Sequence, residues 1–216
     1  YIPSGRCVQA LNYKHAKGGY VEHVPDSLTK AFYTIGGREV RDGGGIKPDV
    51  EVKPDSVPNI AFYLAGARDS NEVMLNYEID YIAKHSTIAP AEEFALSDAD
   101  YDEFKERVLK ADFKYDRETE KYLKDLEKLA KFEGYYDDAK VEFEALKKKL
   151  SHNVAKDLDY NKETIKHLLE NDIVAAYYYQ GGAIRNSLRY DKQVKEAMKL
   201  LNSPEEYQKK LRPVKK

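Results

Sequence analysis

The feature that most constrains the fold is a change of sequence pattern near residue 55. Eight of the twelve glycines and four of the eight prolines lie in residues 1–55, between short runs rich in β-branched and aromatic residues. From residue 56 onward, apolar residues recur at intervals of three and four, the spacing of an amphipathic helix. We therefore predict an α+β chain: a short β-rich segment at 1–55, connecting helices at 56–90 and an α-helical domain at 91–216.

The β-rich segment contains several strand and turn signals. Cys7–Leu11, Phe32–Thr34 and Val50–Val52 are predicted strands, and Gly36-Gly37 predicts a two-residue hairpin turn. Three consecutive glycines, Gly43–Gly45, predict a turn in which at least one residue has a positive φ, because a residue without a Cβ adopts that conformation freely.

Capping signals predict where several helices begin and end. Ser97 and Asp100 resemble a capping box at the start of a helix near 98–110, and Gly134 is a natural C-terminal stop. Ser203 and Pro204, followed by two glutamates, predict another helix start. The apolar faces of the helices near 70–84 and before Gly134 are marked by Leu75, Ile79, Ile82, Tyr122, Leu126 and Leu129.

Two long apolar stripes dominate the helical domain, one from Ala139 to Leu158 and one from Ile165 to Leu188. The short connection Asp159–Asn161 predicts that the helices carrying them pack antiparallel, since connections in helix bundles run about 2–8 residues. Gly181-Gly182 predicts either a kink or the close approach of another helix. We expect residues 115–212 to form a helical bundle that also presents a partner surface.

The charge balance argues against a nucleic-acid or membrane-surface role. The 36 basic and 38 acidic side chains nearly cancel, so no overall field favours either partner. No apolar run is long enough for a signal peptide or a membrane span, and we expect any export signal to precede Tyr1. The single Cys7 excludes an internal disulfide and is interpreted as a small apolar filler.

No metal or cofactor site can be assigned from the sequence. Asp98–Asp102 imitates the start of a calcium loop, but Glu103 and Leu109 occupy the positions that require Gly and Glu. An acidic helix N-terminus explains these residues better. The loop Gly43–Gly45 lacks the Gly-Lys-Ser/Thr of a phosphate-binding loop. The histidines show no metal-ligand spacing: His15, His23, His85, His152 and His167.

No catalytic residue can be assigned either. Ser4 does not lie in a Gly-x-Ser-x-Gly turn and has no paired base within sequence reach. The run Tyr177–Tyr179 cannot form one stacking platform, because consecutive residues of a helix point about 100° apart. We expect these tyrosines to pack in the core or at an interface, with at least one of them exposed.

Two signatures near the start of the chain point to a family. Residues 1–9 read Tyr-Ile-Pro-Ser-Gly-Arg-Cys-Val-Gln, and Gly37-Arg38 precedes Asp42–Val50 with its Gly-Gly-Gly-Ile-Lys-Pro-Asp. This pattern resembles the carboxyl-terminal processing proteases, also called tail-specific proteases, in which a Tyr-x-Pro-Ser-Gly-Arg-x-x-Gln strand precedes a Gly-x-Gly-Ile-x-Pro-Asp turn. Residues 10–36 resemble versions with an extra hairpin, and the chain from about residue 56 resembles the long C-terminal extension of some bacterial members.

The resemblance implies a serine-type endopeptidase of the periplasm or cell envelope that uses a Ser–Lys pair. In the family, a substrate-gating PDZ domain and the catalytic residues precede the Tyr-x-Pro-Ser-Gly-Arg strand, which here means before Tyr1. The positions that match, Pro3, Gly5, Arg6 and Gly43–Asp49, belong to the family's scaffold behind the active site.

Two functional hypotheses follow. The first is the non-catalytic C-terminal portion of such a peptidase, in which the helices serve homo-oligomer formation or access of polypeptide substrates. The second is a self-standing helical protein-interaction module with no role in proteolysis.

Overall fold

The computed structural model describes residues 1–8, 27, 29–42, 45–66, 72–151 and 153–211 of the chain. The elements are β1 (Ala31–Tyr33), β2 (Glu39–Arg41), α1 (Asn59–Ala65), α2 (Val73–Lys84), α3 (Asp98–Lys110), α4 (Glu118–Glu133), α5 (Lys140–Lys149), α6 (Val154–Tyr160), α7 (Lys162–Ser187), α8 (Lys192–Leu201) and α9 (Pro204–Leu211). This mainly helical chain with a small antiparallel sheet confirms the α+β class. It forms two compact units, Tyr1–Pro54 with Lys192–Lys216, and Asp55–Asp191.

The first unit contains the predicted hairpin with a different turn. Strands β1 and β2 pair antiparallel, with Phe32 opposite Val40. The Gly37 N–H donates to the Thr34 carbonyl at 2.9 Å, and Gly37 itself has a φ of 75°. The loop between the strands therefore has three central residues, ending in a left-handed glycine, instead of the two predicted.

Two of the other β predictions fail where the structure describes them. Cys7 and Val8 lie outside any strand, and the rest of that predicted strand falls outside the described residues. Val50–Val52 is also not a strand. Among the described residues the sheet consists of β1 and β2 alone, and neither of them pairs with this segment. Together with Pro48, Ala197 and Leu200, its valines line a cleft of about 410 Å³ beside α8. Gly45 has a φ of 76°, which confirms the glycine-turn prediction, whereas Gly43 and Gly44 lie outside the described residues.

Helices α8 and α9 pack on each other in the same unit. The Ser203 carbonyl accepts the Tyr207 N–H at 3.0 Å, and α9 begins at Pro204. The predicted helix start is confirmed.

In the second unit, α1, α2 and α6 pack on α7, and α3 packs on α2 and α6. Helix α2 contacts α1, α3 and α7, while α6 contacts α3 and α7. Because each of these helices buries one face, a continuous apolar core forms between them. Its largest fully buried apolar side chains are Ile60, Tyr77, Leu96, Tyr101, Phe104, Val108, Leu158, Ile165, Leu169, Ile173 and Val174.

The start of α3 is capped as predicted. The Ser97 hydroxyl accepts the Asp100 N–H at 3.1 Å, and the Asp100 carboxylate accepts the Ser97 N–H at 3.1 Å. This reciprocal capping box satisfies two backbone donors that have no partner within the helix. Asp98, in the first turn, is ion-paired with Lys162 and Lys166 at 3.0 and 3.2 Å. The acidic run is thus a helix N-terminus.

The stripe from Ala139 to Leu158 is divided between two helices, so the predicted pair of long antiparallel helices is wrong. Helix α5 ends at Lys149, and α6 begins at Val154 after an Asn153 cap whose side chain accepts the Lys156 N–H at 3.0 Å. The side-chain cap offers the backbone a local alternative to a continuous helix. As a result α5 packs on α4, and α6 packs on α3 and α7.

Helix α7 is interrupted at Tyr179, which has a φ of 58° and a ψ of −171°. The sequence prediction places a kink at Gly181-Gly182, two residues later. Gly182 nevertheless has a packing role, since a Cβ at this position would lie 2.2 Å from Cβ of Tyr178. A residue with a side chain would collide there, which explains why this turn of the helix contains glycine.

Side chains of α7 also hold the connection between α2 and α3. Glu170 is 2% exposed; its Oε1 accepts the Leu96 N–H at 2.9 Å and its Oε2 accepts the Tyr190 hydroxyl at 2.6 Å. Asn186 donates from Nδ2 to the Phe94 carbonyl at 3.0 Å. These buried bonds fix a segment that has no regular secondary structure of its own.

Candidate interaction surface

Helices α4 and α5 form an antiparallel hairpin that is closed by a glycine cap. Gly134 has a φ of 83°, which confirms the predicted helix stop, and the N–H groups of Tyr135 and Tyr136 donate to the Ala130 carbonyl at 2.9 and 3.2 Å. The left-handed glycine reverses the chain and satisfies carbonyl groups at the helix end. The Tyr136 ring then contacts Phe143 of α5, with 5.5 Å between ring centroids.

An ion cluster joins the two helices of the hairpin. Glu127 of α4 lies 2.8 Å from Lys131 and 2.8 Å from Lys147 of α5, and Lys147 also contacts Glu144 at 3.1 Å. Hydrogen bonds from Lys131 and Lys147 lower the pKa of Glu127 to about 2. Glu127 therefore stays charged at neutral pH and orients α5 on α4.

Helix α4 presents an apolar stripe away from this seam. Leu123, on the α5 side, is 9% exposed, whereas Tyr122, Leu126 and Leu129 are 67%, 52% and 51% exposed. Spacings of four and three residues place these three side chains on one face. The sequence predicts the helix correctly. The apolar residues from which it was predicted, however, are exposed, and the buried residue is Leu123. Phe132, 89% exposed, extends the apolar surface.

A third side of α4 lines an open cleft against α1. The cleft has a volume of about 500 Å³, and Phe62, Tyr63 and Lys124 are among its lining residues. At its end, the Tyr63 hydroxyl donates to the Asp116 carboxylate at 3.0 Å. The Arg117 guanidinium donates to the Leu150 carbonyl at 3.0 Å, which ties the base of the hairpin together. Helix α4 is thus packed on one side, lines a cleft on another, and leaves the stripe between them uncovered.

Comparison with protein-family models identifies this helical region. A family described as "Probable PDZ-protease, C-terminal helical domain" matches residues 60–201, about two thirds of the chain. The chain belongs to this family. The matched range covers every helix from α2 to α8 and nearly all of α1. Neither the curated proteins nor the solved structures contain a match to the chain.

In the PDZ-protease helical domain, two tyrosines of the run Tyr177–Tyr179 hold the connection that follows α2. The Tyr177 hydroxyl donates to the His85 carbonyl, and the Tyr178 hydroxyl donates to the Ile88 carbonyl at 3.1 Å. Tyr179 is 80% exposed, which confirms that at least one tyrosine of the run points outward.

The other residues considered from the sequence are not brought together in this domain. The His85 ring stacks on Tyr81 and the His167 ring on Tyr190, while the remaining histidines fall outside the described residues. Within the described ranges, no three His, Cys, Asp or Glu side chains form a group that could hold a metal ion. Likewise, none of the described helices has the length and apolar character needed to cross a membrane.

Sequence reasoning missed two buried carboxylates of the domain, Glu78 and Glu170. They are 8% and 2% exposed. A signal for Glu170 is present in the sequence, because it lies three residues before Ile173 and four before Val174, the helical spacing that places it beside these apolar residues. Glu78 has a weaker signal, since the residues around it are apolar on two faces of α2 and the pattern leaves the buried face undecided.

Proposed function

We propose that this chain is the C-terminal, non-catalytic portion of a serine-type endopeptidase of the carboxyl-terminal processing family. The proposal depends on one observation: the family's two sequence signatures and the PDZ-protease helical domain occur in the same chain. The PDZ-protease helical domain at 60–201 follows the Tyr-x-Pro-Ser-Gly-Arg and Gly-Gly-Ile-x-Pro-Asp signatures in the order that the resemblance implies. A PDZ-containing protease also agrees with the substrate-gating PDZ domain that this peptidase family implies.

The environment of the signature residues supports a scaffold role for them. Gly5 has a φ of 80°, a conformation that glycine adopts without strain. Arg6 is 7% exposed and donates from Nη1 to the Arg41 carbonyl in β2 at 3.1 Å. Asp49 is ion-paired with Arg38. These residues shape the backbone of their unit and leave the reacting groups to other parts of the peptidase.

In this proposal the intact peptidase acts on polypeptide substrates in the periplasm or cell envelope. The test is the coding sequence that precedes Tyr1 in the intact gene. We expect it to encode a PDZ domain followed by a Ser and a Lys separated by about one helix length. A gene without this pair would refute the peptidase assignment and favour the self-standing helical interaction module.

For the helices, the proposed role is self-association through the stripe of Tyr122, Leu126 and Leu129. Exposed aliphatic and aromatic residues at helical spacing are the pattern by which two helices pack. Lys121 and Asp125 flank the stripe with opposite charges, so a second copy meets no surface of a single sign. Substrate access is the remaining role if the stripe proves not to associate.

Sedimentation velocity at high micromolar concentration tests this role. We expect the chain to associate, and the double variant Leu126→Glu/Leu129→Glu to weaken the association at least about tenfold, since buried unpaired carboxylates are costly. The matched control is Lys124→Glu, which changes an exposed residue of the same helix outside the stripe and should leave association unchanged. A monomeric wild-type chain, or equal association of all three proteins, would refute self-association through α4.

A further inference from the structure

The cleft between α1 and α4 has two walls of different chemistry. Its volume of about 500 Å³ lies within the range of ligand-binding clefts. The α1 wall consists of Asn59, Phe62 and Tyr63 and carries no charge. The α4 wall presents charged residues that recur at the spacing of one helix face: Arg117, Glu120, Lys121, Lys124, Asp125 and Lys128. A ligand in this cleft therefore meets aromatic rings on one side and charged side chains on the other.

The aromatic wall is held in place by contacts within the domain. Phe62, which is 50% exposed, meets the Tyr63 ring edge-on with 6.1 Å between centroids, and Tyr63 contacts the Tyr115 ring at 6.0 Å. The Tyr63 hydroxyl donates to the Asp116 carboxylate at 3.0 Å, and Asn59 Nδ2 donates to the Asp116 carbonyl at 2.9 Å. The exposed half of Phe62 is thus oriented before any ligand binds.

Four carboxylates also line the cleft, and two of them have a cation beside them on α4. Glu120 lies 3.8 Å from Arg117, and Asp125 lies 3.1 Å from Lys128. The charges of these two pairs largely cancel, so the remaining charged residues decide which ligand the cleft attracts.

Lys121 and Lys124 line the cleft without an ion-pair partner among the residues that the structure describes. Both are exposed, and they are neighbours on the helix surface because they are three residues apart. The other two lining carboxylates, Asp116 and Glu118, lie at the N-terminal end of α4. At 1.5 Å per residue, Lys124 lies about 9 Å farther along the helix axis than Glu118. The part of the cleft beside Lys124 therefore favours an anionic group.

The spacing of these groups matches an extended polypeptide. Consecutive side chains of an extended chain point to opposite sides, and alternate ones lie on the same side about 7 Å apart. Side chains at i and i+3 of a helix, such as Lys121 and Lys124, are about 5–6 Å apart at Cβ. Two acidic residues on either side of an aromatic residue can thus direct both carboxylates to the lysines and the ring to Phe62.

We propose that this cleft binds an extended segment of a partner polypeptide with the sequence pattern acidic–aromatic–acidic. The two carboxylates contact Lys121 and Lys124, and the aromatic ring packs against Phe62. The cleft lies on a different face of α4 from the stripe of exposed apolar residues. The proposal therefore depends neither on self-association through that stripe nor on the peptidase assignment.

An NMR titration of the full chain with acetyl-Ala-Glu-Phe-Glu-Ala-amide tests the site. We expect saturable shifts of the backbone amide signals of Phe62, Lys121 and Lys124, with a dissociation constant of about 1 mM or below. Such a modest affinity is expected for a short peptide held by exposed ion pairs and one ring.

Two matched peptides separate the charge requirement from the order of the residues. Acetyl-Ala-Gln-Phe-Gln-Ala-amide has nearly the same shape and no charge, and it should bind roughly fivefold more weakly because both ion pairs are lost. Acetyl-Ala-Phe-Glu-Glu-Ala-amide has the same composition and charge as the first peptide. It should also bind more weakly, since consecutive carboxylates point to opposite sides of an extended chain.

Variants of the chain test the two walls separately. Lys121→Ala/Lys124→Ala should weaken binding of the Glu-Phe-Glu peptide roughly fivefold and leave the neutral peptide unaffected, with the far-ultraviolet circular dichroism of the wild type. Phe62→Ala should weaken both peptides by a similar factor, because it removes a contact that they share. The matched control, Lys148→Ala/Lys149→Ala, removes the same charge from exposed positions of α5 and should leave binding unchanged.

Four results would each overturn the proposal. They are the absence of saturable binding at millimolar peptide, equal binding of the three peptides, equal effects of the two double lysine variants, and signal shifts confined to residues outside the cleft.

Discussion

Replacing Glu78 by glutamine should stabilise the domain at neutral pH. Glutamine has nearly the shape of a protonated glutamate and cannot ionise. In the native structure Glu78 is buried against α7, with the charge of Asp172 nearby, and its pKa is raised to about 8. In the unfolded chain the same carboxyl has an ordinary pKa near 4.3. At pH 7 the wild-type carboxyl must therefore take up a proton when the chain folds.

The sign and size of the effect follow from this difference. The native pKa lies above the unfolded one, so the favourable contribution of Glu78 is complete below about pH 4.5 and is lost as the pH rises through 8. Each unit of pKa difference corresponds to about 1.4 kcal/mol. Allowing for partial screening by solvent, we expect Glu78→Gln to gain about 2–3 kcal/mol in the free energy of unfolding at pH 7.

Urea denaturation of both proteins at a series of pH values measures this gain. The difference in unfolding free energy should be near zero at pH 4, should grow through neutral pH and should level off above pH 8. Glu93→Gln, at an exposed position, should show no such trend. A difference that is flat with pH, or a variant less stable than wild type at pH 7, would refute the assignment of Glu78 as a buried and uncompensated acid.

Two further substitutions test the packing of α7. Gly182→Ala places a Cβ 2.2 Å from Cβ of Tyr178 and should lower the free energy of unfolding, measured by urea denaturation, by about 1–3 kcal/mol. Gly181→Ala, whose Cβ would meet no atom within 4 Å, should be neutral or slightly stabilising. Equal effects of the two variants would refute the close-approach argument. Glu170→Ala removes the acceptor of the buried Leu96 N–H and should destabilise the domain by about 2–4 kcal/mol, clearly more than Glu170→Gln, which retains an acceptor oxygen. Hydrogen exchange at the Leu96 amide should become faster in the alanine variant only. Unchanged protection of this amide in the alanine variant would count against the hydrogen bond.

The features that could be predicted from the sequence are those decided within a few residues. The capping box of Ser97 and Asp100, the glycine stop at Gly134 and the helix start at Pro204 all appear as expected. Each depends on hydrogen bonds or backbone conformations that the local sequence alone provides. The hairpin at Gly37 was predicted for the same reason, with an error of one residue in its turn.

Tertiary packing decided the features that could not be predicted. Apolar residues occupy two adjacent faces of α2 and of α4, and periodicity cannot say which face meets the core. The structure buries Tyr77 and Leu123 and leaves Leu75 and Leu126 exposed. The break in α7 lies at Tyr179, two residues before the glycines that carry the sequence signal for a kink.

The candidate interaction surface could likewise be predicted from the sequence only in part. The helix containing Leu126 was predicted from the sequence. The exposure of Leu126 could not be predicted, because it depends on α5 covering the neighbouring face of the helix and leaving Leu126 uncovered. The raised pKa of Glu78 depends on residues far apart in the chain, since burial is its main cause and Asp172, the second cause, lies on another helix. The local sequence around Glu78 does not show that this carboxylate is buried.

The most direct test of the proposed function is fluorophosphonate labelling followed by intact-mass spectrometry. The chain of 216 residues, incubated with the probe, should gain no mass, because the proposal assigns the nucleophile to the part of the peptidase that precedes Tyr1. The product of the intact gene should gain one probe adduct, located on a serine upstream of Tyr1. Stoichiometric labelling of a serine within this chain, such as Ser4, or an unlabelled intact product, would contradict the account.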